Sequence, residues 1–404
     1  MPKIINTKEN KITLPLKRKI VPEDIEINFE GSSGGGTVVE GMNTVNFMVD
    51  GVVYATQSVE EGKTIKRPDD PTKEGYTFYG WSGDGSDKIS FPYTPSASSI
   101  ELTAVFTEGQ NASVSGLGNS SYTNQVYTKT DNFPTSFEEV TDDLGNVFIK
   151  IPTMYRKVDT VTDNQITKFT LSTTKIDDTY EPYSVFVKPN GEVMPYVLIG
   201  KYINNSSTSM VSVETTARAD VTIGNARNWA REIGTGYQIY DWQFQKLFVD
   251  LALLVSQKVN FQDGSVAISE YLGIKNINIG CWVDGVSRAS STWCIAYDPT
   301  KYVDSATSST TGYTAVSYTA PTSSSVNITK LGYDENNPFF NYPNAAASNS
   351  SYNTYYCDGY WYSSGNHPVY STVGDAYADN GLWRCNTSIV WSNAYGARLC
   401  YRPL

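Results

Sequence analysis

Only two stretches of this 404-residue chain place apolar side chains at helical spacing, and that scarcity constrains the fold more than any other feature. In the first, Ile223, Ala226, Trp229, Ala230 and Ile233 recur at intervals of one helical turn behind a capping Thr222, and Gly234-Thr235-Gly236 stops the pattern. The second follows Asp241 as N-cap: Trp242, Leu247, Leu251, Leu254 and Val255 form one stripe, which predicts helix to about Val259. Elsewhere apolar residues alternate with polar ones, or short runs end at Gly, Asn, Ser and Pro. Val45, Phe47 and Val49, then 52–59, 100–106, 147–152, 166–171, 183–188 and 194–202, read as strands. Asp50-Gly51 and Asn190-Gly191 are hairpin turns between such runs.

The charge balance bears on partners. With 31 Lys+Arg against 42 Asp+Glu the net charge is -11, which disfavours non-specific nucleic-acid binding. Charged residues make up 18%, below the globular average of roughly 25%. Ser, Thr, Asn, Gly and 29 tyrosines take their place, a composition for surfaces that bind through aromatic and amide groups. No run approaches the roughly 18 apolar residues of a membrane helix, and the first residues, MPKIINTKEN, lack the apolar core of a secretory signal. The expectation is a soluble protein made in the cytoplasm, without membrane insertion, that reaches the outside by lysis or a specialised route, as a virion component does. The five cysteines, Cys281, Cys294, Cys357, Cys385 and Cys400, form no CxxC pair. They read as free thiols; a Cys357–Cys385 or Cys385–Cys400 bridge is the alternative in an oxidising setting.

No enzyme signature stands out. The single histidine, His367, lies in a Gly-Asn-His-Pro context that reads as a structural turn. There is no GxSxG elbow, no P-loop, and no GxGxxG between a strand and a helix. One histidine does not make a His-based zinc centre. Asp284, Asp298, Asp358 and Asp379 are available for a glycosidase pair, but nothing singles out two of them. No cofactor and no metal are expected.

The chain divides by composition. Residues 1–43 form an arm with a basic patch, Lys17, Arg18 and Lys19, and a Gly-rich linker at 31–36; this arm would attach to other proteins of its assembly. Residues 44–107 form a compact β unit, 108–137 a Ser/Asn/Thr-rich connector, and 138–404 the main domain. The β unit carries Val45-Asn46-Phe47, then Pro71-Thr72-Lys73-Glu74-Gly75-Tyr76-Thr77-Phe78 with Gly80-Trp81, and closes on Leu102-Thr103-Ala104-Val105-Phe106. In these stretches it resembles the Listeria–Bacteroides B-repeat, a small β-grasp-like module of bacterial surface proteins. Phe106 stands where that family usually closes on tryptophan. The resemblance implies a spacer or adhesive unit without catalysis.

From Asn341 to Tyr395 the chain is dominated by Asn, Ser, Tyr, Ala and Gly, with no lysine after Lys330 and no glutamate after Glu335. Tyr and Trp supply large amphipathic contact area with few rotatable bonds, and Ser, Asn and Gly supply adaptable hydrogen bonds. The candidate binding residues are Tyr360, Trp361, Asp375, Tyr377, Asp379, Asn380, Trp383, Arg384, Asn386, Ser388, Trp391, Asn393 and Tyr395. The bland alternative is that such aromatics fill a loop-rich core, as Tyr355, Tyr356 and Leu382 would.

The region from about Asp143 onward resembles the variable proteins of diversity-generating retroelements. The matching stretches are Asp143 to Pro152, Tyr196 to Tyr202, Asn225 to Trp242, Cys281 to Gly285, Val373-Gly374-Asp375, Asn380-Gly381-Leu382 and Gly396-Ala397-Arg398-Leu399-Cys400. That resemblance implies a C-type-lectin fold with two helices and short twisted strands, hence a modular α+β protein. It also implies a variable cassette at about 341–400, rewritten at adenines. Trp383 and Trp391 are not reachable from an Asn codon that way. The calcium-dependent sugar motif of animal lectins is missing: Glu181-Pro182-Tyr183 is not that motif, and Trp391-Ser392-Asn393 matches it only loosely. The function implied is host recognition by a bacteriophage tail, through a bacterial cell-surface protein or glycan, as a homotrimer whose multivalency offsets weak single sites. A bacterial surface adhesin and a tail-tip glycan depolymerase are the rival readings.

Overall fold

The computed structural model describes residues 41–73, 75–83, 88–118, 125–257, 270–322, 326–347, 359–361, 365–372, 384–387 and 395–403. Of the N-terminal arm, residues 1–40 lie outside these.

The first unit is a four-stranded sheet in the order Val52–Glu60, Met42–Val49, Ser99–Glu108, Tyr76–Ser82. Met42–Val49 pairs antiparallel with Val52–Glu60 and parallel with Ser99–Glu108. Asp50 and Gly51 join the hairpin with φ of 48° and 80°, the backbone that a tight Asp-Gly turn requires. Alternation in the first strand sends Val45 and Phe47 inward onto Ile65, Trp81 and Leu102. Trp81 meets Phe47 and Phe78 edge-on at 4.9 and 5.3 Å.

The stretch expected as a connector, 108–137, holds two strands among its described residues. Asn111–Ser115 pairs with Gln165–Ser172 on one side and Val126–Lys129 on the other, inside a five-stranded sheet completed by Tyr155–Thr162 and Glu181–Pro182. Only the small residues Ala112 and Val114 point inward from Asn111–Ser115, so composition alone gave it the look of a linker. Gly109 makes the joint with the first unit. Its N–H donates to Gly75 O at 2.7 Å, and a Cβ there would stand 2.1 Å from Thr174 Oγ1.

A second five-stranded sheet runs Tyr237–Ile239, Leu399–Tyr401, Tyr196–Gly200, Val147–Pro152, Glu138–Thr141. An eight-stranded sheet follows in the order Thr314–Thr319, Thr292–Ile295, Cys281–Ala289, Asn366–Thr372, Arg384–Thr387, Gly359–Trp361, Val326–Leu331, Pro343–Ala347. Helix α1 (Ile223–Ile233) is capped by Thr222, whose side chain accepts from Asn225 N, and α2 (Trp242–Ser256) by Asp241. Both starts agree with the sequence.

The α+β, C-type-lectin-like expectation does not hold. Of the described residues, strands occupy 43% and helices 11%, with two α-helices, so the described structure is mainly β. The physical reason is that strands distant in sequence pair into four-, five- and eight-stranded sheets, and α2 is packed among them. Trp242, Phe244, Leu247, Phe248, Leu251 and Leu254 are buried, and so are Gln243, Gln245 and Asp250. The helix is enclosed on several sides among the sheets and forms no outer layer of its own. Residues 183–188, expected as a strand, contain instead a 3-10 turn at Ser184–Phe186, where the consecutive residues Val185 and Phe186 are both buried. A half-buried strand would alternate them. His367, expected in a turn, lies buried on Asn366–Thr372.

Candidate functional site

The C-terminal candidates enter through the eight-stranded sheet. Arg384–Thr387 lies between Asn366–Thr372 (antiparallel) and Gly359–Trp361 (parallel), which sets Gly359 beside Arg384, Tyr360 beside Cys385, and Trp361 beside Asn386. Sequence reasoning had no means of finding these neighbours, because periodicity reports a face and never a partner strand. Thus Trp361, Arg384 and Asn386 come together at backbone level. Asp375, Tyr377, Asp379, Asn380, Trp383, Ser388, Trp391 and Asn393 lie outside the described residues.

Two candidates have resolved surroundings. Tyr360 is 1% exposed, and its hydroxyl donates to Pro321 O at 3.1 Å. It is a core residue and leaves the candidate surface; Tyr355, Tyr356 and Leu382, expected as filler, lie outside the described residues. Tyr395 is half-buried, meets the Trp282 ring edge-on at 5.1 Å, and accepts Val221 N–H at its carbonyl at 3.0 Å. It packs on the second apolar cluster with Ile223, Ala226 and Leu399.

The body also holds groups of buried charges whose members the sequence did not connect. Asp241 is the centre of one group. Its Oδ1 accepts from Gln243 N and Phe244 N at 2.9 and 3.0 Å, while Oδ2 accepts from Gln238 Nε2 and Tyr302 Oη, both at 2.8 Å, and from Arg402. Burial pushes the Tyr302 hydroxyl well above its ordinary pKa, and the Asp241 charge adds to this. In a second group, Arg227 makes a two-point contact with Asp284 at 2.7 and 2.9 Å and reaches Asp304 at 2.6 Å. Burial raises the Asp284 carboxyl above its usual range, against the opposing pull of Arg227.

In the third group Asp250 takes Tyr183 Oη at 2.8 Å, Lys246 Nζ at 2.9 Å and Arg156 Nε at 3.6 Å. Burial pushes Lys246 down to about 8, the nearby Arg156 lowers it further, and Asp250 opposes both.

Asp241, Asp250 and Asp284 at the centres of these groups are buried and each is held by several donors, so the groups position strands. Asp284, a candidate for glycosidic chemistry, is committed to Arg227. Asp298 accepts from Thr300 N at 2.9 Å at the start of a 3-10 turn. Asp358 and Asp379 lie outside the described residues. Cys281, Cys294 and Cys400 are free and buried, so the Cys385–Cys400 bridge is not formed. Burial raises the Cys281 and Cys294 thiols to about 11, which keeps them as unreactive thiols. Among the described residues no group of three or more His, Cys, Asp or Glu side chains is placed to hold a metal ion. No described helix is long and apolar enough to cross a membrane.

Comparison with known families gives one match. The model of the Listeria-Bacteroides repeat domain covers residues 44–105, the unit built around Val45, Phe47 and Trp81. No curated protein matches the chain.

Proposed function

We propose that this chain is a non-enzymatic recognition protein: the receptor-binding component of a bacteriophage tail, which contacts a protein or glycan of the bacterial surface. One observation carries the reading. Gly359–Trp361 and Arg384–Thr387 pair side by side, which gathers Trp361, Arg384 and Asn386 from the aromatic–amide region into one part of one sheet. The surrounding composition is that of a paratope, rich in Tyr, Trp, Asn and Ser. The buried carboxylates Asp241, Asp250 and Asp284, each held by several donors, give the body a rigid support. A repeat unit of the kind found on bacterial surface proteins precedes this body, and the tight joint at Gly109 suits it to a fixed spacer. On this reading the N-terminal arm attaches to other tail proteins and the assembly is a homotrimer. The resemblance of the last segment to retroelement variable proteins further suggests that the aromatic–amide region is diversified.

The test is adsorption. A triple variant Tyr377→Ala, Asn386→Ala, Trp391→Ala should abolish binding of assembled particles to host cells while the purified protein keeps its melting temperature. Tyr395 is left intact because it packs on Trp282. Unchanged adsorption would refute the reading. A reverse-transcriptase gene beside a near-identical template repeat, differing at adenines, is the corresponding genetic observation.

A further inference from the structure

The eight-stranded sheet brings its two ends together. Thr314–Thr319 is first in its strand order and Pro343–Ala347 last. Yet Asn344 Nδ2 donates to Thr319 O at 3.0 Å, and Tyr342 N donates to Tyr318 Oη at 2.9 Å. Edge strands carry backbone groups outside the ladder, and here they border a hollow of about 550 Å³. That size lies within the range of roughly 300–1,000 Å³ typical of small-ligand sites.

Its lining has a distinct chemistry. Asn164, Asn336 and Asn344 contribute amides, Asp334 and Glu335 carboxylates, and Tyr333 a partly buried ring. Ser317, Tyr318 and Thr319 add hydroxyl-bearing residues; among the described residues no Lys, Arg or His lines the hollow, and no aliphatic side chain does. Asp334 is fixed: it accepts from Ser317 N at 3.0 Å, Asn336 N at 3.1 Å and Asn337 Nδ2 at 2.9 Å. Burial opposes its charge, but the Asn337 amide and the two backbone N–H groups outweigh burial and hold the carboxyl below its ordinary value. Glu335 and Asn336 are exposed beside it, and Asn164 reaches the rim from a turn in which its φ is 56°.

Two carboxylates with no cation beside them among the described lining residues repel phosphate, sulfate and acidic sugars. The lack of aliphatic side chains removes the pockets that peptide side chains fill. What remains suits a polyhydroxylated ring. Amides and carboxylates offer paired donors and acceptors to neighbouring hydroxyl or acetamido groups, and an amphipathic tyrosine offers a face to ring C–H groups.

We infer that this hollow, at the seam of Thr314–Thr319 and Pro343–Ala347, is a saccharide-binding site for a neutral or amino-bearing glycan. It uses none of the residues gathered on Gly359–Trp361 and Arg384–Thr387. The adsorption variant above leaves it intact, so either reading fails without the other.

Isothermal titration of the full chain tests it, with chitotetraose, its fully deacetylated form, maltotetraose and sialyllactose at millimolar concentration. At least one neutral oligosaccharide should bind, the sialylated sugar should not, and the deacetylated tetramer should bind more tightly than chitotetraose at low salt. Asn336→Ala and Asn344→Ala should each weaken binding on the order of tenfold. Glu335→Gln, an exposed change that does not disturb Asp334, should remove the preference for the amino form. An unchanged melting temperature shows that each variant is folded, and the exposed Asn336→Ala serves where Asn344→Ala fails that check. Failure of all three non-sialylated probes to bind overturns the assignment, as does equal binding of sialyllactose or unchanged affinity in the folded variants.

Discussion

Replacing Asp241 with asparagine tests whether the body is organised around one buried carboxylate. Five hydrogen bonds converge on it, two from the first turn of α2 and three from Gln238, Tyr302 and Arg402. Asparagine keeps one side-chain oxygen, so the helix cap, worth about 1 kcal/mol, survives. Its amide nitrogen then faces three donors that need an acceptor. Arg402 is the costly one, because its side chain is 2% exposed and its charge has no water to turn to. Breaking a buried ion pair from one side costs about 3–5 kcal/mol. At roughly 2–4 °C per kcal/mol for a domain of this order of size, the melting temperature should fall by about 6–20 °C.

The assay is a thermal melt followed by near-ultraviolet circular dichroism, which reports the packing of Trp242 beside the cap. The double variant Asp241→Asn, Arg402→Met should recover much of the loss, since it removes the stranded charge as well as its partner. A single-variant shift below about 3 °C would refute the argument, because it would mean that Arg402 loses less than the low end of the ion-pair cost. So would a double variant as unstable as the sum of its singles.

Two further outcomes are expected. Gly109→Val places a side chain against Thr174 Oγ1 and Gly75 O, so it should loosen the joint between the repeat unit and the body. Limited proteolysis should then cut between residues 105 and 111 in the variant and spare the parent protein. Lys246→Met should stabilise the protein near neutral pH. The folded-state pKa of Lys246, about 8, lies below its ordinary 10.5, so between these values the unfolded chain binds more protons and stability from this group rises with pH. Below about 8 the cost of burying the charge is fully present. The variant's advantage in melting temperature should therefore shrink from pH 8 toward pH 10.5, with Asp250 still held by Arg156 and Tyr183. A constant difference across that window would exclude the mechanism.

Local features were legible and partnerships were not. Thr222 and Asp241 each cap a helix where the sequence places them, and α1 ends at Ile233 as its stripe predicts. The repeat unit was equally readable, since Val45 and Phe47 alternate inward and Trp81 fills its centre. Asn111–Ser115 escaped notice because two small apolar residues give a weak period-two signal. The burial of Tyr360 escaped because a tyrosine among Asn, Ser and Gly carries the same composition whether it faces water or core. The charge groups join residues far apart, 57 positions for Arg227–Asp284 and 161 for Arg402–Asp241, and no spacing rule connects them. The mainly β architecture followed from such long-range strand pairings, which is why the two readable helices overstated their share.

The first and last residues of the segment expected to vary, about 341–400, are themselves fastened to the body. At its start, Phe340 stacks on Tyr342 at 4.2 Å, and Trp293 packs on Tyr342 at 5.3 Å while its indole N–H donates to Pro343 O at 2.9 Å. At its end, Arg398 donates to Gly200 O and Lys275 O, both at 2.7 Å, and Leu399–Tyr401 is inserted between Tyr237–Ile239 and Tyr196–Gly200. Arg402 then closes on Asp241. The contacts named for both anchors join residues outside 348–394. Distant sites with no shared partners contribute independently to stability, so substitutions between the anchors should leave the body folded where they spare the buried Tyr360, His367 and Val369. This separation of fastening from display is the physical condition a recognition surface needs if its sequence is to vary while its scaffold does not.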